Sequence, residues 1–92
     1  MGREDREAYD SLKKTYRDEE KKLQRVGAND PKRVDVLSSL LELCDGLSDF
    51  CGLRAVSDED EDKRDWWMKQ SNSWKEKHER WDRELDETME DQ

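Results

Sequence analysis

The chain has few of the residues that staple or interrupt a small fold. Two cysteines, Cys44 and Cys51, are too few for a secreted disulfide scaffold. On one helix they stand about 10 Å apart at ~1.5 Å per residue, too far to bridge, so they read as small buried hydrophobes. The single histidine, His78, leaves no visible base beside a Ser or Cys nucleophile, which argues against an enzyme. No run of apolar residues is long enough to span a membrane, and Met1–Asp5 has no signal-peptide character. Arg6 stands where a myristoylation signal needs Ser or Thr, so a cytoplasmic, intracellular protein is expected. Proline occurs once and glycine four times, and no segment alternates as a strand would, so a sheet is not expected.

Apolar residues are also scarce, at 30% against 48% charged. A chain of 92 residues with that balance buries a thin core and tends to gain stability by association. The net charge of −8 is unevenly placed: from Ser57 onward there are 14 acidic and 7 basic side chains. Phosphate binding needs the opposite surplus, so direct contact with nucleic acid is not expected and a basic protein partner is the easier match.

What the sequence does have is tryptophan at regular spacing. Trp67, Trp74 and Trp81 are seven residues apart, which on a helix makes one aromatic edge. Steps of four and three extend it through Ser71, His78 and Leu85 to Thr88 or Met89. The spacing predicts an all-α, three-helix protein in one domain over residues 1–92: a helical hairpin plus a long C-terminal helix, paired further into a dimeric helical bundle.

The first helix is expected over about 3–26, with Tyr9, Leu12, Tyr16, Leu23 and Val26 as its narrow apolar stripe, Asp10–Lys14 and Asp18–Lys22 as outward pairs, and Gly27 as its stop. Asp30 or Asn29 before Pro31 reads as the start of the second. Its dense apolar set, Val34, Leu37, Leu40, Leu41, Cys44 and Leu47, marks it as the core element. Gly46 suggests an end near Asp45, at about 31–45, followed by a short turn or an extension to 53. Ser57 reads as the cap of a third helix over about 58–90, with Gln70-Ser71-Asn72-Ser73 as its weak point.

Tryptophan at helical spacing is first of all core, and the three indoles are placed to close over Leu37, Leu41 and Tyr16. A third helix of ~45 Å would nevertheless outrun a second of ~20–25 Å, leaving Trp81, Leu85 and Met89 overhanging. The candidate partner-binding residues are therefore Trp67, Trp74, His78, Trp81, Leu85 and Met89, met by a protein partner or by a second copy as a homodimer.

A second reading takes Glu76, Glu79, Asp82, Asp86 and Glu90 as an acidic row that imitates nucleic-acid phosphates, blurred by Lys75, Lys77, Arg80 and Arg83. His78 to Asp82 lacks the second histidine of a zinc-protease helix, and the acids at 58–62 lack the glycine and spacing of a calcium loop. No metal, cofactor or catalytic residue is assigned.

Overall fold

The computed structural model describes residues 3–27 and 30–90. Three helices follow in order: α1 over Arg3–Arg25, α2 over Lys32–Ser57 and α3 over Glu61–Glu90. Among the described residues there is no strand, so the all-α, three-helix expectation holds.

Local chemistry explains the helix ends. The Asp30 Oδ1 accepts the Lys32 backbone N–H at 2.9 Å, which supplies an acceptor for a first-turn donor beside Pro31. Asn29, the alternative cap, lies outside the described residues. The start of α3 differs from expectation: Ser57 closes α2, its hydroxyl bonded back to the Leu53 carbonyl. Asp60 takes the capping role, its Oδ1 accepting the N–H groups of Asp62 at 2.9 Å and Lys63 at 3.4 Å. On α1, Lys22 reaches Glu19 at 2.8 Å and Lys13 approaches Asp10 at 3.6 Å, so these ion pairs form at a spacing of three and not four.

The larger correction is α2. It passes through Gly46 and Gly52 without a break and runs 26 residues, about 39 Å. A glycine inside a helix costs only ~1 kcal/mol. Stopping at Asp45 would forgo the burial of Leu47, Cys51 and Ala55, at ~25 cal/mol per Å² of apolar surface. The helix therefore continues. Similarly, α3 is unbroken at 70–73, because Ser71 is buried and its hydroxyl donates to the Ser48 carbonyl at 3.0 Å.

With α2 and α3 of comparable length, the expected overhang of Trp81 disappears. The two run antiparallel and make the closest helix pair in the molecule, tied by Ser48–Ser71 near the middle and by Arg33–Glu84 (3.4 Å) toward the far end. α1 packs along one flank of this pair, held to α2 partly by an Arg54–Asp5 ion pair at 2.9 Å. No Cα of α1 comes within 8 Å of a Cα of α3. Side chains alone join those two helices, and the molecule is long and flat, 48 × 20 × 13 Å.

Candidate functional site

The aromatic edge is where the sequence points, and the structure turns it inward. Trp67, Trp74 and Trp81 are 5%, 4% and 7% exposed, so none of the three is offered to a partner. The fourth indole, Trp66, is half-buried beneath the Arg6 guanidinium, 4.4 Å from its ring centre.

The reason is a matching heptad on α1. Tyr9, Tyr16 and Leu23 have the same spacing of seven as the tryptophans, and the helices are parallel. Trp74 donates its indole N–H to the Tyr9 hydroxyl at 3.0 Å, and Trp81 donates to Tyr16 at 2.8 Å. Both pairs are 65 residues apart. α2 completes each layer with a small residue, Cys51 beside Tyr9 and Cys44 beside Tyr16. The same register carried seven residues further groups Leu23, Leu37 and Thr88, all three buried.

The core is thus a stack of repeating layers in which a large indole from α3 meets a phenol from α1 over a cysteine from α2. The rings span the gap that the two backbones leave. Edge-to-face contacts tighten the stack, with Tyr9–Trp67 centroids at 5.3 Å and Tyr16–Trp74 at 4.9 Å.

Burial governs the acid chemistry of these groups. It pushes the Tyr16 hydroxyl up to about 12, with the Trp81 hydrogen bond acting the other way, and raises Tyr9 in the same sense. Burial likewise lifts both thiols to about 11, so Cys44 and Cys51 are protonated, unreactive packing groups near neutral pH.

The surface left open lies on the other flank of the α2–α3 pair, away from α1. There the seam forms a groove. One stretch of about 500 Å³ is lined by Ser48, Asp49, Gly52, Leu53, Val56, Ser71 and Lys75. The adjoining stretch of about 250 Å³ adds Asp45, His78 and Glu79. Leu53 and Val56 are 59% and 74% exposed, and Met68, one turn before Ser71 on α3, is 44% exposed.

The banks are predominantly acidic. Between Arg33 and Arg54, α2 carries no basic residue, and Asp35, Glu42, Asp45 and Asp49 are all exposed. Of the other sequence candidates, His78 and Leu85 are half-buried and Met89 is 57% exposed. Steps of four, three and four from Ser71 through Lys75 and His78, repeated through Asp82 and Leu85 to Met89, keep them on the groove side of α3. Glu76, Glu79, Asp82, Asp86 and Glu90 are all exposed, and Glu79 also lines the groove.

The sequence candidates therefore divide between a sealed core and an open seam. Leu53, Val56 and Met68 were missed. Their signal was present: Leu53 and Val56 fall outside the phase set by Leu37, Leu40, Cys44, Leu47 and Cys51, so a helix continued past Gly46 must show them to solvent.

The groove brings together Ser48, His78 and two aspartates, residue types that could in principle relay a proton. The geometry does not assemble such a relay. The Ser48 hydroxyl lies 3.4 Å from that of Ser71, and among the described residues no hydrogen bond joins it to the imidazole. No group of three His, Cys, Asp or Glu side chains converges to hold a metal among the described residues. Among the described residues no helix is long and apolar enough to cross a membrane. No protein-family profile, curated protein or solved structure matches the chain.

Proposed function

We propose that this chain is a small protein-binding protein, an adaptor or inhibitor that occupies a surface of another macromolecule and performs no chemistry. The observation that carries this reading is the pair Leu53 and Val56, left exposed in an acid-banked groove, with Met68 exposed on the facing helix. A thin-cored chain has few apolar side chains to spare, yet two of them line one groove in water. Scattered exposed apolar residues need no explanation, whereas neighbouring ones beside a groove have the form of an interaction site. The acidic banks favour a basic partner, since complementary charge raises encounter rates and rejects acidic competitors.

The test is affinity capture from the source cells with the wild type and a Leu53→Asp/Val56→Asp variant in parallel. Both positions are exposed, so the variant should keep its helicity and melting temperature. A protein retained by the wild type and lost with the variant supports the reading. Equal retention by both removes the groove from it.

Phosphate mimicry is the second reading, favoured by the exposure of Glu76, Glu79, Asp82, Asp86 and Glu90. It calls for partner binding that survives the Leu53→Asp/Val56→Asp change, the reverse of what the groove requires. Lys75 and Arg83, both exposed among those acids, weaken any continuous negative surface.

A further inference from the structure

We infer that the α2–α3 groove receives one basic, amphipathic α-helix from a partner protein, laid along the seam as a fourth helix of the bundle. This rests on the reading of that seam as the binding surface and adds the form and charge of what fills it.

Three observations lead there. First, both walls are helices whose backbone N–H and C=O groups are bonded within their own turns. An extended segment would find no main-chain partners in such a groove and would lose hydrogen bonds on entering it. A helix brings its own bonds satisfied and needs only side-chain fit, which is the helix-in-groove mode.

Second, the shape suits a helix. Ser48, Gly52 and Ser71 form a low floor, and a methyl group added at Gly52 would meet only the Ser71 hydroxyl, at 3.6 Å. Leu53 and Val56 rise beside it as apolar ridges. From Asp45 to Val56 the wall is about 17 Å long, room for roughly three turns of a docked helix.

Third, the charge selects the occupant. Asp45, Asp49 and Glu79 line the groove against a single lysine, Lys75, with one histidine, His78. Lysine or arginine flanking an apolar stripe would complete these banks. A second copy of this chain would instead set the same acids against one another across a two-fold axis, between molecules that each carry −8.

The test uses the full chain, labelled with ¹⁵N, and three synthetic peptides of about 18 residues. One carries Leu and Ala at helical spacing with Lys elsewhere. The second has the same residues with two central prolines, and the third has Glu in place of Lys.

The expected result is that only the first peptide shifts the amide signals of Gly52, Ser71 and Lys75, while the Trp74 and Trp81 indole signals stay in place as a control for the fold. Leu53→Asp/Val56→Asp should weaken that binding by about tenfold or more.

Equal binding of the lysine and proline peptides would overturn the inference, because charge alone would then suffice. A concentration-dependent dimer in sedimentation, abolished by Leu53→Asp/Val56→Asp, would overturn it by giving the groove to a second copy. If no peptide binds while cellular capture still depends on Leu53 and Val56, the helical occupant is wrong and the binding surface stands. If capture is indifferent to those residues, the surface itself is wrong.

Discussion

The Tyr16 hydroxyl is the acceptor for a buried indole N–H, so Tyr16→Phe should cost about 1–3 kcal/mol, the usual penalty for leaving a buried donor unpaired. Urea unfolding of the two proteins would measure it. An effect below a few tenths of a kcal/mol would mean that the Trp81–Tyr16 bond does not order the core.

The same layers set a response to alkali. Tyr16, Cys44 and Cys51 hold their protons more tightly when folded than when unfolded. Below pH 9, the ordinary thiol value, their contribution to stability is complete. As pH rises the unfolded chain ionises first, so stability should fall progressively until the folded values of about 11 for the thiols and about 12 for Tyr16 are passed. Melting temperatures across this interval, with a Cys44→Ala/Cys51→Ala variant for comparison, would show it. That variant should lose the part of the decline that begins near pH 9 and keep the part due to tyrosine.

At the scale of elements, α2 decides the arrangement because it packs against both other helices. Gly46 sits in its exposed middle, and a Cβ there would meet nothing within 4 Å. Gly46→Ala should therefore stabilise the protein by about 0.5–1 kcal/mol, read as a higher urea midpoint at unchanged slope. A loss of stability would mean that the helix bends or opens at this point.

α1 is the more loosely attached element. It reaches α3 only through side chains, and one of its cations, Arg6, lies over an α3 ring, that of Trp66. Interaction of a cation with a ring face contributes about 0.5–1 kcal/mol at exposed sites, enough to help seat a helix whose own apolar stripe is narrow.

For the whole molecule, the charge is the dominant feature. Acids outnumber bases two to one from Ser57 onward, and the last turn of α3 holds no base to complement its dipole. Self-repulsion of this kind weakens the folded state and is relieved by screening. Raising salt from about 20 to about 200 mM should increase the melting temperature by several degrees, since about 1 kcal/mol corresponds to ~4–8 °C in a domain of this size. A fall in melting temperature would show that ion pairs such as Arg54–Asp5 outweigh the repulsion.

The number of helices, their type and most of their extent followed from the sequence, because helix formation obeys local rules. Periodicity gave the apolar faces, Pro31 gave a boundary, and the spacing of tryptophan held α3 in phase across its poor helix formers. Which way each face points was not available locally. The heptad of Tyr9, Tyr16 and Leu23 was visible, but its pairing with Trp67, Trp74 and Trp81 depends on helices 65 residues apart lying parallel at one register. The length of α2 was settled in the same way, by burial of Leu47, Cys51 and Ala55 against neighbours that a local reading of Gly46 does not include. Tertiary packing thus kept Trp67 and Trp74 in the core, drew Trp81 in with them where an overhang was expected, and left Leu53, Val56 and Met68 outside. Sequence spacing fixes which residues share a face, whereas only the assembled helices determine which faces are covered.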